Sequence, residues 1–321
     1  MKLLILFFIF AHNIINANIT NLPNGLFAGK GKWDSKSGKK GYYETLVDIN
    51  NNVFQSNYFF EHQINTANLT FVFKKESWVN IYYKNKLVGE GFCLEFQCHY
   101  WLDLNNDVFS ETLTFYENNI YRIGFRKTIN DIYKWEELLH PQKNITNPPL
   151  LPVIPKNIKI ADLINSTLPT LPINPPIVPV LPIIDIKELA HYLGEGSWTD
   201  KQGNKENYYI ILGINSEQLL SNTLWRLRSI YFALNFKFNK DWFSVSNQNK
   251  FLGNGFCSKY QCQYLIESEK EIFVETLTLY KNKFNRSGYR KKKDGSIVRW
   301  NEQLYSTDKA VPNINLPFMP K

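Results

Sequence analysis

Residues 111–127 read ETLTFYENNIYRIGFRK, and residues 275–291 read ETLTLYKNKFNRSGYRK. Each is a pair of runs rich in Thr, Tyr, Phe and Ile around a polar, Asn-bearing centre, the pattern of a β-hairpin. Asparagine tolerates the positive φ that a tight hairpin turn requires. A two-residue turn at Asn118-Asn119 sets Tyr116 opposite Tyr121, Leu113 opposite Gly124 and Glu111 opposite Arg126. The same register across Asn282-Lys283 sets Glu275 opposite Arg290. Opposite charges as direct cross-strand neighbours favour such pairing. The face that carries Leu113 and Phe115 then holds a Glu–Arg pair together with Arg122, and Arg286 stands at the matching place in the second hairpin.

Working outward, the whole chain repeats. GKGKW at 29–33 returns as GEGSW at 194–198, and GEGFCLEFQCHY at 89–100 returns as GNGFCSKYQCQY at 253–264. LPVIPK at 151–156 returns as LPFMPK at 316–321, with offsets of 164 to 165 residues throughout. A period this long marks a duplicated domain, not a solenoid. Around each hairpin lie short runs of Tyr, Phe, Val, Ile and Thr separated by polar turns such as Lys84-Asn85-Lys86, and no stretch has helical periodicity. In copy one, segments near 29–34, 41–49, 53–60, 69–74, 78–83, 87–93, 98–104, 107–116, 120–127 and 132–138 read as strands. The expected fold is all-β: two tandem antiparallel up-and-down β-barrels, since closure removes sheet edges.

Prolines separate the copies. None lies between Phe27 and Leu139 or between Leu193 and Val311, whereas eleven of the fifteen fall in 141–182. Proline lacks the backbone donor of an inner strand, so these segments read as extended tails and a semi-rigid linker. The expected division is a signal peptide at 1–17, a first barrel with its Pro-rich tail at 18–156, a linker at 157–193 and a second barrel with its tail at 194–321. The signal reading rests on Lys2, the apolar run Leu3–Ala11 and the small residue Ala17. The run is too short to span a bilayer, and no cysteine precedes Cys93 to carry a lipid. A secreted or periplasmic chain with no transmembrane span in its mature form is therefore expected.

The net charge is +8, which admits an anionic partner. Only Arg290–Lys293 forms a basic run, and copy one lacks it, so a shared nucleic-acid function is not expected. Asn-x-Ser/Thr sequons stand at Asn18, Asn68, Asn144, Asn165 and Asn285. Cys93 with Cys98, and Cys257 with Cys262, form a repeated CxxxxC. Five residues apart on one straight strand is too far for a disulfide. A four-residue hairpin loop between them lets the sulfurs meet, and export favours oxidation. One disulfide per domain is expected, and no metal, since no histidine is shared between copies. No GxSxG, HExxH or phosphate loop occurs, so neither an enzyme nor a cofactor is expected.

GxGxW opens both copies, with the indoles of Trp33 and Trp198 expected to plug a barrel end. Arg126 and Arg290 are placed to stack over them as cation–π partners. A Gly-x-Trp on the first strand, an arginine on a late strand and a run of antiparallel strands of this size resemble the lipocalin-like (calycin) barrels, over 26–140 and again over 191–306. The resemblance is to a divergent form, because neither copy has the central TDY motif. It implies a binding protein that holds a small hydrophobic, amphipathic or anionic ligand inside the barrels. The candidate ligand-binding residues are Trp33, Glu111, Arg122 and Arg126, with Trp198, Glu275, Arg286 and Arg290 in copy two. The alternative is a secreted or envelope protein-interaction module whose barrels are filled by their own side chains. Interior volume separates the two readings.

Overall fold

The computed structural model describes residues 21–142 and 190–306, apart from 61–62, 95, 105–106, 117, 227, 259–260 and 281–282. The segments expected to be the signal peptide, the Pro-rich tails and the linker up to residue 189 lie outside the described residues. Barrel one is built from β1 (Gly25–Ser35), β2 (Lys40–Asn50), β3 (Val53–Phe60), β4 (Gln63–Phe73), β5 (Trp78–Tyr83), β6 (Lys86–Cys93), β7 (Gln97–Leu104), β8 (Asp107–Tyr116), β9 (Asn119–Lys127) and β10 (Ile132–Pro141). Barrel two repeats it with β11 (Ala190–Asp200), β12 (Lys205–Ile214), β13 (Gln218–Trp225), β14 (Arg228–Asn239), β15 (Trp242–Asn247), β16 (Lys250–Cys257), β17 (Gln261–Glu267), β18 (Glu271–Tyr280), β19 (Lys283–Lys292) and β20 (Ile297–Ser306). β11 begins at Ala190, so the last four residues assigned to the linker belong to the second barrel.

Every strand pairs antiparallel with its sequence neighbours, and the first pairs with the last, giving two closed up-and-down barrels of ten strands each. Period-two alternation sends one set of side chains to the centre. Val47, Ile49, Phe54, Phe71, Ile81, Leu113 and Leu139 fill barrel one and are at most 1% exposed. Ile210, Leu212, Leu219, Leu234, Val245 and Leu304 do the same in barrel two at 0%. Burying each such side chain stabilises by roughly 1.5–3 kcal/mol. Both disulfides form as expected: Cys93 faces Cys98 and Cys257 faces Cys262 across their hairpins.

The register of the deciding hairpin differs from the sequence expectation. Glu111 pairs with Gly124 and Phe109 with Arg126, while Tyr116 pairs with Asn119, which places Asn118 in the turn. Asn118 does take a positive φ of 66°. In copy two Glu275 pairs with Gly288, and Phe273 with Arg290. Each partner has moved by two residues, which preserves the face and changes the arginine. The Glu111–Arg126 and Glu275–Arg290 pairs are therefore corrected: Arg126 pairs with Asp107 at 2.6 Å, and Arg290 approaches Glu271 at 3.8 Å.

The barrels meet through the outer faces of β5–β10 and β15–β20, related by a pseudo-two-fold. Thr112 Oγ1 lies 3.2 Å from its own counterpart, Thr276 Oγ1. Gln97 donates to Thr278 at 3.0 Å, and Gln261 donates reciprocally to Thr114 at 2.6 Å. Lys134 lies over Trp242 and Phe256 as Arg299 lies over Trp78 and Phe92. Such i-to-j and j-to-i contacts are the mark of an isologous interface, here within one chain. One departure is His99, which stands where copy two has Gln263 and bridges Thr112 at 2.9 Å and Ser287 at 2.8 Å. Asn285, the last sequon, is 5% exposed in this seam and donates to Gln97, so the folded interface leaves no room for a glycan there.

Candidate functional site

The inward residues of β8, β9 and β10 bring Glu111, Arg122 and Glu137 together at the centre of barrel one. Arg122 donates from Nε to Glu111 Oε1 at 3.0 Å, from Nη2 to Glu111 Oε2 at 2.8 Å, and from Nη1 to Glu137 Oε2 at 2.7 Å. Three rings complete the cluster. Tyr100 donates to Glu111 Oε1 at 2.6 Å, the Trp135 indole to Glu111 Oε2 at 2.9 Å, and Tyr43 to Glu137 Oε1 at 2.7 Å. Tyr58 accepts from Arg122 Nη2 at 2.8 Å, and its ring lies beneath the guanidinium with that of Phe54. Barrel two repeats the arrangement. Arg286 bonds Glu275 at 2.9–3.1 Å and lies 3.0 Å from Glu302, with Tyr264 and Trp300 on Glu275 and Tyr208 on Glu302.

The repeated glycines make room for these rings. A Cβ on Gly31 would stand 2.3 Å from the Tyr43 ring, and one on Gly196 would stand 2.4 Å from Tyr208. Gly124 and Gly288 cradle Trp135 and Trp300 in the same manner, at 2.4 and 2.5 Å. GxGxW and the repeated hairpin glycine, which faces Glu111 or Glu275, are thus two halves of one device: glycine saddles that let aromatic tips reach buried carboxylates.

Electrostatically the cluster is a carboxylate–guanidinium–carboxylate triad with one acid in excess. Burial opposes the Arg122 charge, but Glu111 and then Glu137 outweigh it and hold its pKa well above the usual range. Burial, reinforced by neighbouring Glu111 and opposed by Arg122, raises Glu137 above the ordinary carboxyl value. In barrel two burial lifts Glu302 to about 7, with Arg286 opposing and Glu275 adding to the rise. The acid in excess is the group that holds a proton most readily.

Beyond the triad one end of each barrel is rimmed by half-buried rings. In barrel one these are Trp33, Phe109, Tyr133 and Trp135, with Phe109 and Trp135 centroids 5.1 Å apart. In barrel two they are Trp198, Trp225, Phe232, Phe273 and Trp300, with Phe273 and Trp300 stacked at 4.7 Å. Of the residues singled out from sequence, Glu111, Arg122, Glu275 and Arg286 come together as triad members, and Trp33 and Trp198 reach the rims. Arg126 and Arg290 stand at the outer margin, half-exposed. Stacking on aromatic rings, expected of Arg126 over Trp33, falls to Arg122 over Phe54 and Tyr58. Glu137 and Glu302, which the structure joins to the two arginines, are not among the residues singled out from sequence, and neither are Tyr43, Tyr100, Trp135 and their counterparts. The signal was present, since all are kept in both copies.

No protein-family model and no curated protein matches the sequence. Among solved structures, the chain is similar to a protein of unknown function from the DUF3598 family of Nostoc punctiforme. That match has a TM-score of 0.58 at 11% identity and covers 88% of this chain and 96% of that one. A putative outer membrane protein from Bacteroides fragilis aligns over 88% of this chain and 97% of its own, but with a TM-score of 0.21 and 7% identity. The first likeness shows a shared tandem-barrel fold.

Proposed function

We propose that the chain is an exported, non-catalytic binding protein that takes a small apolar or amphipathic molecule at the ring-lined mouths of its barrels. The observation that carries this reading is the contrast along each barrel: triad and aliphatic end closed to solvent, opposite end rimmed by half-exposed indoles and phenyl rings. A deep interior pocket of lipocalin type is not favoured, because side chains 0–2% exposed fill the described centre. The barrels also have ten strands, where lipocalins have eight, so kinship with lipocalins stays part of the proposal. An anionic ligand loses its motive, since Arg122 and Arg286 each lie between two carboxylates. The same saturation argues against catalysis: both oxygens of Glu111 accept bonds from Arg122, and Tyr100 and Trp135 occupy them further. The two disulfides suit an oxidising compartment.

Titration with the neutral fluorescent amphiphile N-phenyl-naphthylamine tests the mouth. Trp33→Ala and Trp198→Ala together should weaken uptake by about tenfold, the scale of one lost aromatic contact. Undiminished uptake would remove the proposal. A protein-interaction role is the second reading, favoured by the outer face of barrel two. There Tyr305, Leu193, Ile211 and Tyr231 lie along one cross-strand row, and Tyr209 beside them is 61% exposed.

A further inference from the structure

One difference between the two mouths points to a ligand class. Trp198 pairs in register with Glu206, whereas Trp33 pairs with Gly41. Barrel two therefore sets a carboxylate among its rim rings. The Trp225 indole donates to Glu206, and the Trp198 and Trp225 rings meet edge to face at 6.4 Å. Perpendicular indole walls with an acid between them make a box whose inner surface is π-electron-rich and negative.

A cation already sits on this box. Arg226, in the β13–β14 turn with a φ of 46°, lays its guanidinium 5.1 Å from the centre of the Trp225 ring and pairs with Glu206. Its side chain is 68% exposed while that of Glu206 is 21% exposed. The arginine thus covers the acid from outside without being locked into the barrel. We infer that the mouth of barrel two is an organic-cation site, recognising a weakly hydrated ammonium or guanidinium head by Trp198, Trp225 and Glu206, with Arg226 as a displaceable resident cation. Cation–π attraction is strongest at Trp and grows when the site is shielded from water, and a carboxylate beside the rings adds charge complementarity. This inference rests on the mouth reading above and narrows it to one barrel and one chemistry.

Ligand-observed NMR on the full chain, with tetramethylammonium and its uncharged isostere neopentyl alcohol, tests it. The cation should bind more tightly than the alcohol. Glu206→Gln and Trp225→Ala should each weaken the cation by about tenfold. Arg226→Ala removes a side chain that is 68% exposed, and should tighten the cation by about fivefold. Equal binding of alcohol and cation, or no gain in Arg226→Ala, would overturn the cation assignment while N-phenyl-naphthylamine uptake kept the mouth reading intact. Absence of binding by the cation, the alcohol and the dye would overturn both.

Discussion

Arg122 and Arg286 organise the centre of their barrels, and the cost of disturbing them follows from what they leave behind. Arg122→Met abandons two buried carboxylates, so an urea melt should show a loss of about 3–5 kcal/mol. Glu111→Ala is expected to cost less, because Glu137 still neutralises the guanidinium at 2.7 Å; an equal loss would mean the two acids do not share the arginine. Glu302 gives a pH signature. Its folded pKa of about 7 lies above the ordinary 4.5, so the folded state binds the proton more tightly. Stability from this group is then full below about 4.5 and is lost as pH rises through 7. Glu302→Gln should flatten that slope, and an unchanged slope in the variant would assign it elsewhere. The sequence made half of this cluster legible. Glu111 and the inward face were readable from charge and alternation, but the choice between Arg122 and Arg126 was not. Either two-residue turn places an asparagine where φ is positive, and a shift of two residues keeps the same face. The deciding term is tertiary: only Arg122 reaches Glu111 and Glu137 together.

At the scale of elements, each glycine saddle seats a ring of the next strand so that it reaches a carboxylate on another strand of the barrel. Gly31→Ala drives a methyl group into the Tyr43 ring, whose hydroxyl is tied to Glu137. Displacing a fixed ring in a packed centre should cost about 1–3 kcal/mol, measurable as a lowered unfolding midpoint. A neutral outcome would show that Tyr43 can leave its seat freely. The hairpin disulfides stand at the opposite extreme. Each closes a loop with a sequence separation of 5, and entropic stabilisation shrinks with loop length. Reduction should therefore lower the melting temperature modestly and leave both barrels folded, as read by far-UV circular dichroism. These bridges and the strand pattern were legible because they depend on neighbours in sequence. The purpose of GxG was not, since the carboxylates that hold the seated rings, Glu137 and Glu302, arrive from β10 and β20.

For the whole molecule, the duplication is also an assembly: two barrels joined face to face as a dimer would be. The sequence showed two copies but gave no sign that they dock, because the docking residues alternate with core residues on the same strands. His99 breaks the symmetry. Burial holds its pKa at about 3, below the ordinary 6.5, so the unfolded state takes up the proton first. The seam should lose stability as pH falls below about 6.5, and His99→Gln, which installs the residue of copy two, should remove that acid sensitivity. Retained sensitivity would place it outside the seam. Hydrogen exchange with and without N-phenyl-naphthylamine tests whether recognition occurs at the aromatic mouths of the filled barrels. Added protection should fall on the strand ends around Trp33, Trp135, Trp198 and Trp300, with none near Ile49, Phe54 or Leu139. Protection at that closed end, or along the outer row from Tyr305 to Tyr231, would contradict it.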